Sequence, residues 1–237
     1  MWDISERLNN KDSRLCIGLD PRVRQSKRLE FAMEIVEKTK EFAFAYKPNI
    51  QFWHGTAKSE LTELTKFIHD FNIPIIADLK ISDIGSSNRA ALENMSELGF
   101  DYITHSPFPG NVKETSEEAK DVGIGLITLV LMSNPEAKWM IDSGMYLQWA
   151  IEVERYCDGA VIGTTNHVTK DILQELASTI KTKFILAPGL GAQGGEVGDL
   201  KKLFGNRVLF NVSRGINQSE NPFQAAQEYY NNILALN

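Results

Sequence analysis

Short apolar runs recur along the whole chain, and amphipathic stretches fill the gaps between them. The runs are Leu15–Leu19, Phe42–Tyr46, Ile73–Ala77, Tyr102–Thr104, Ile124–Met132, Ala160–Ile162, Phe184–Ala187 and Val208–Val212. Each is near-continuous rather than alternating, the pattern of strands buried on both faces. Between most of them apolar residues fall three and four apart: Leu29, Met33 and Val36; Leu61, Leu64 and Ile68; Ile172, Leu173, Leu176 and Ile180. That spacing predicts helices with one apolar face. Eight strand–helix units in 237 residues predict an α/β fold of the (β/α)₈ TIM-barrel type. The expected organisation is one barrel domain over residues 1–237, with a short N-terminal helix before strand 1. A doubly wound open sheet is the competing architecture, but it wants a G-x-G-x-x-G turn after its first strand. The turn here is Gly18-Leu19-Asp20-Pro21-Arg22.

Charge and composition narrow the classes of function. The net charge is −6 and the lysines and arginines are scattered, so no nucleic-acid partner is expected. The longest apolar stretch, Ile124–Met132, is interrupted by Gly125 and Thr128 and is too short to span a bilayer, so no membrane partner is expected. The start, Met1-Trp2-Asp3-Ile4-Ser5-Glu6, lacks the basic region and apolar core of a secretory signal. Cys16 and Cys157 form no close pair, which suggests buried thiols in a reducing compartment. A cytoplasmic enzyme is therefore expected. His54, His69, His105 and His167 show no H-x-x-H or H-E-x-x-H spacing, so no metal site is expected.

In a barrel, chemistry collects at the C-terminal ends of the strands. Strand 1 runs into Asp20-Pro21, strand 2 into Lys47-Pro48-Asn49, and strand 3 into Asp78-Leu79-Lys80, with Asp83 on the loop beyond. Strand 5 runs into Met132-Ser133-Asn134-Pro135 and strand 8 into Ser213-Arg214-Gly215. Taken singly, Asp20 reads as a helix cap, Lys47 as a surface lysine and Arg214 as a surface ion pair. Together, Asp20, Lys47, Asp78, Lys80 and Arg214 put ionisable groups on one rim, where desolvation makes them costly unless they do chemistry. Asp78 and Lys80 stand two apart, so a regular pleat would point both to the same face. After strand 7, the segment Pro188–Gly195 carries four glycines, which let backbone N–H groups approach an anion. Barrels often hold phosphate between the loops after strands 7 and 8, and Arg214 adds a planar fork suited to a phosphate dianion.

These motifs, in this order, resemble the orotidine 5′-monophosphate decarboxylase family. The resemblance rests on L-D-P at Asp20, Y-K-P-N at Lys47, D-L-K-I-S-D-I from Asp78, M-S at Ser133, P-G-L-G-A-Q-G-G from Pro188, and Arg214. It covers the chain from Asp20 to Arg214. The D-x-K-x-x-D core is shared with sister barrels that act on sugar phosphates; Lys47 and the Gly-rich loop narrow the match. The resemblance implies a cofactor-free enzyme in which Lys80 protonates C6 of the pyrimidine and Asp78 lies against the scissile carboxylate. Lys47 and Asp83 would complete a Lys-Asp-Lys-Asp array, with Asp83 supplied by the second subunit of a homodimer. Asp20 and Lys47 would hold ribose hydroxyls, helped by Ser87 of the partner subunit, and Ser133 would contact the pyrimidine. Gln193, the backbone near Gly191, and Arg214 would hold the phosphate. Ile84, Pro188, Gly189 and Ser213 complete the implied substrate contacts. The chain departs from the pattern at Gly85, where proline is common, at Ser87, where threonine is common, and at Glu136 in the strand 5 loop, where glycine is frequent.

Two alternatives remain open. A 3-keto-gulonate 6-phosphate decarboxylase or hexulose phosphate synthase would use magnesium and an extra acidic ligand at the end of strand 2, where this chain has Lys47. A non-catalytic nucleotide-binding barrel would keep Gln193 and Arg214 but could lose Asp78 or Lys80, and both are present.

Overall fold

The computed structural model describes residues 3–10, 13–164, 167–189 and 194–236. All eight apolar runs are strands: β1 (Leu15–Gly18), β2 (Ala43–Lys47), β3 (Ile76–Ile81), β4 (Tyr102–His105), β5 (Gly125–Leu131), β6 (Gly159–Ile162), β7 (Phe184–Pro188) and β8 (Val208–Val212). They pair in parallel in one sheet of order β2-β1-β8-β7-β6-β5-β4-β3. The two ends of that order meet at the bridges Tyr46–Ile75 and Asn49–Asp78, so the barrel is nearly closed. At this seam the Tyr46 N–H donates to Pro74 O and the Asp78 N–H to Pro48 O, each at 3.0 Å.

Every residue of β1, β2, β4, β5 and β6 is buried, as continuous apolar strands require when helices cover the outside. Inward positions of all eight strands fill the barrel: Cys16, Phe44, Ile76, Tyr102, Ile127, Val161, Phe184 and Leu209 belong to one cluster. Tyr102 and Phe184 meet edge to face, with ring centroids 5.8 Å apart. The helix Ile4–Asn10 brings Ile4 and Leu8 onto that cluster, and the Ile4 N–H donates to the Tyr102 hydroxyl at 3.1 Å. Burying each such side chain contributes about 1.5–3 kcal/mol. With the N-terminal end plugged, the C-terminal rim is left for the site.

The outer layer follows the expected periodicity with one shift of face. Leu61, Leu64 and Ile68 are buried on the helix Lys58–His69, as their spacing predicts. On the helix Arg28–Thr39 the buried positions are Ala32, Ile35, Val36 and Thr39, while Leu29 and Met33 are only partly covered. Among the described residues no helix is long and apolar enough to cross a membrane.

Strand β4 ends in two residues of opposite aim. Thr104 lines the cavity at the barrel mouth, and His105 packs beside Thr128 of β5. The His105 Nδ1 lies 3.1 Å from the Thr128 hydroxyl, while Nε2 is buried with no hydrogen-bond partner among the described residues. Burial lowers the His105 pKa from 6.5 to about 4. The unfolded chain therefore takes up this proton before the folded one does. Its contribution to stability is full above pH 6.5 and declines as pH falls toward 4. We expect the wild type to lose about 2 kcal/mol from this group between pH 6.5 and pH 5. Denaturant titrations of wild type and His105→Gln at several pH values check this. Equal pH slopes in the two proteins would contradict it.

Candidate active site

The central feature spans the barrel seam. Lys47 closes β2, and β3 carries Asp78, which bridges to Asn49 just beyond Lys47. The Lys47 ammonium donates to Asp78 Oδ2 at 2.5 Å, and the Lys80 ammonium donates to the other oxygen, Oδ1. Lys47 is 6% exposed and Asp78 8%. Burial alone would raise the Asp78 carboxyl, but the charges and hydrogen bonds of Lys47 and Lys80 outweigh it and hold it below the usual carboxylate range. Burial likewise disfavours the Lys47 ammonium, but Asp78, with smaller help from Cys16 and Asp20, holds its pKa above the usual lysine value. Two ammonium groups thus share one carboxylate, leaving a formal excess of one positive charge. A buried ion pair is poor evidence for stability, because desolvation cancels most of its attraction. A group of this kind at a cavity wall is better explained by chemistry.

Asp78 and Lys80 do meet, but not through a regular pleat. Pairing with β4 jumps from Ala77–Ile103 to Ile81–His105, so β3 bulges over residues 78–80. Lys80 sits at φ +55°, in the left-handed region that non-glycine residues avoid. Its N–H donates to Thr104 Oγ1 at 2.9 Å, and that hydroxyl lies 3.2 Å from Asp78 Oδ1.

Asp20 is fixed from two sides. The Asn49 N–H donates to its Oδ1 at 3.2 Å, and the Ser213 hydroxyl donates to its Oδ2. Gly18 makes room for this: a Cβ there would lie 2.6 Å from the Ser213 Cβ. Gly163 serves the strand 5 loop in the same way, since a Cβ would lie 2.6 Å from the Ser133 backbone nitrogen.

Asp20, Lys47, Asp78, Lys80, Ser133 and Pro188 all line one cavity of about 260 Å³ at the C-terminal mouth of the barrel. Leu129, Met132, Val161 and Leu186 form its apolar wall. Beside it lies a recess of about 180 Å³ lined by Arg22, Ser213, Arg214 and Asn217. Asp20 lines both spaces, so it stands where they adjoin. Arg214 opens the short helix Arg214–Asn217, and Gly189 follows β7 directly.

Three expected residues are not brought to this cavity within one chain. Asp83, Ile84 and Ser87 are exposed on the loop after β3 and the first turn of the helix Gly85–Glu97. The Asp83 carboxylate accepts from the Ile84 N–H at 2.7 Å and makes no ion pair among the described residues. Gly191 and Gln193 lie outside the described residues. Glu136 is exposed and accepts from Asn134 Nδ2 at 2.9 Å, beside the cavity's Ser133. Sequence reasoning missed Thr104 and Asn211, which also line the cavity. Alternation from the inward Tyr102 would have flagged Thr104, but the strand 4 end offered no charge to draw attention.

Comparisons with known proteins bear on the family and the fold. A family model described as "Orotidine 5'-phosphate decarboxylase / HUMPS family" matches residues 13–229. The chain is 34% identical over 231 residues to orotidine 5′-phosphate decarboxylase of Thermococcus kodakarensis, covering 94% of this chain and 98% of that protein. It is 33% identical over 205 residues to the Pyrococcus abyssi protein of the same name, covering 85% and 92%. The solved structure of Leishmania donovani OMP decarboxylase superposes with a TM-score of 0.84 at 25% identity, covering 99% of this chain and 98% of that one. The match of 217 residues from 13 to 229, about nine-tenths of the chain, places the protein in the orotidine 5′-phosphate decarboxylase / HUMPS family.

Proposed function

We propose that this chain is a carboxy-lyase that converts orotidine 5′-phosphate to uridine 5′-phosphate and carbon dioxide without a metal ion. The observation that carries this reading is the Asp78 carboxylate held between the Lys47 and Lys80 ammonium groups at the wall of a partly apolar cavity. In the reaction the bond from C6 to the carboxylate carbon breaks, and its electron pair stays on C6. The ring offers that carbanion no neighbouring electron sink. Catalysis must therefore come from fixed charges that favour the carbanion over the carboxylate. Lys80 is the counter-ion and then the acid: its ammonium gives a proton to C6 and is reprotonated from solvent. Asp78 keeps Lys80 aimed, and Lys47 keeps Asp78 ionised.

The two adjoining spaces suit a nucleotide. The phosphate takes the recess beside Arg214; the family resemblance adds Gly191 and Gln193, which lie outside the described residues, as further phosphate contacts. The ribose lies over Asp20 and Lys47, and the ring faces Ser133 and Lys80. On this reading Arg214→Ala raises KM about 10- to 100-fold with a smaller change in kcat. Steady-state kinetics check it, and a loss confined to kcat would contradict it.

The working unit is a homodimer with shared sites. Asp83, Ile84 and Ser87 stand exposed after β3, with Ile84 68% exposed there and Phe108 78% exposed on the loop after β4, and Asn111 Nδ2 ties the two loops by donating to Asp83 O at 3.0 Å. Packing a second copy there would cover Ile84 and Phe108 and bring its Asp83 and Ser87 toward the neighbouring cavity. Cys16 and Cys157 are both buried free thiols, in keeping with a cytoplasmic enzyme.

The sister sugar-phosphate reading needs a metal ligand at the end of β2. A lysine held in its ammonium form has no lone pair to give a metal. Product analysis decides between the two. Incubation with orotidine 5′-phosphate should give uridine 5′-phosphate and carbon dioxide in equal amounts. Turnover of 3-keto-gulonate 6-phosphate with magnesium, and none of the nucleotide, would overturn the proposal.

A further inference from the structure

We infer that Thr104 is a positioning residue that sets the working geometry of Asp78 and Lys80; its effect on rate rests on the decarboxylase reading. The β3 bulge takes residues 78–80 out of the regular ladder with β4. The Lys80 N–H, which a regular strand would give to a neighbouring carbonyl, goes instead to Thr104 Oγ1 at 2.9 Å. A hydroxyl has one proton and two lone pairs. Having accepted from Lys80, Thr104 Oγ1 donates its proton to Asp78 Oδ1 at 3.2 Å. Asp78 Oδ1 also accepts from the Lys80 ammonium. One threonine oxygen therefore ties Lys80 at both ends, directly at its backbone and through Asp78 at its ammonium.

The rest of the environment makes this latch stiff. Thr104 is 1% exposed on β4, which pairs residue for residue with β5 from Tyr102 to His105. Its β-branched side chain has few rotamers available. Lys80 meanwhile holds φ at +55°, a conformation that persists only where surrounding bonds enforce it. Among the described residues, Thr104 is the side chain that receives this N–H. The competing account is that Thr104 only fills space in the barrel mouth. Valine, of the same shape, would then serve as well.

The experiment compares Thr104→Val and Thr104→Ser with wild type in kcat, KM and melting temperature. Thr104→Val is expected to lower kcat about 10- to 100-fold with KM within about threefold. Thr104→Ser, which keeps the hydroxyl, is expected to restore kcat to within about threefold of wild type. Wild-type kcat in Thr104→Val, or equal losses in both variants, would overturn the inference. Should Thr104→Val fail to fold, Thr104→Ala against Thr104→Ser carries the same contrast. A crystal structure of the valine or alanine variant gives a readout independent of substrate. Lys80 is expected to leave the positive-φ region, and its retention there with the Asp78 contact intact would overturn the inference. Should wild type not act on orotidine 5′-phosphate, the decarboxylase reading fails, while the crystal comparison still decides the role of Thr104.

Discussion

Replacing Lys80 by alanine is expected to lower turnover of orotidine 5′-phosphate about 10⁴-fold or more while the protein stays folded. The chemical step leaves an electron pair on C6 that must be met by a fixed positive charge and then by a proton. On the proposed reading Lys80 supplies both. Its side chain is 38% exposed, so its loss opens little of the core, and Asp78 keeps Lys47 as a partner. Lys80→Arg restores the charge but not the acid, because a guanidinium gives up its proton far less readily. The arginine variant is therefore expected to be nearly as slow as the alanine variant. Single-turnover kinetics on both, with uridine 5′-phosphate binding as the control for an intact site, check this. Turnover within tenfold of wild type in Lys80→Ala would remove Lys80 from the chemistry.

Mixing two inactive variants is expected to recover activity. In Asp83→Ala the array lacks its second carboxylate, and in Lys80→Ala it lacks the acid. If Asp83 serves the neighbouring subunit, a hybrid dimer has one site with both residues and one with neither. Random exchange of equal amounts makes half the dimers hybrid, so recovery should approach about one quarter of wild-type activity. The geometry of one chain motivates this: Asp83 is exposed, bonded to its own loop, and unpaired with Lys80. Subunit exchange followed by assay at rising mixing ratios measures it. No recovery in demonstrated hybrids would mean that each chain works alone.

The fold was legible because burial on both faces leaves a simple trace. Leu126, Ile127, Leu129 and Val130 are all buried, and the one polar residue among them, Thr128, is buried too, so the run shows no alternation of apolar and polar positions. The rim charges were legible for the opposite reason: Asp78 and Lys80 break an apolar run where charge is costly. What the sequence hid is local backbone geometry. The bulge in β3 and the left-handed Lys80 depend on a hydroxyl two dozen residues away, on another strand, and no local pattern encodes that contact. Thr104 reads as an ordinary β-branched strand residue until its partners are seen. The apolar face of the helix Arg28–Thr39 was legible in part: Val36 is buried and Leu29 and Met33 pack partly covered against the core, while the burial of Ala32 and Ile35 depends on how the helix seats on the barrel. The recess beside Arg214 was also hidden, since Arg22 and Asn217 reach it from opposite ends of the chain.

The central claim is that charge alone, held by Lys47, Asp78 and Lys80, removes carbon dioxide from the nucleotide. The most direct test is the initial rate of loss of orotate absorbance after exhaustive dialysis against EDTA, measured with and without added magnesium. The account predicts a rapid loss that magnesium does not change and that Lys80→Ala removes. A rate that vanishes in EDTA and returns with magnesium would contradict it.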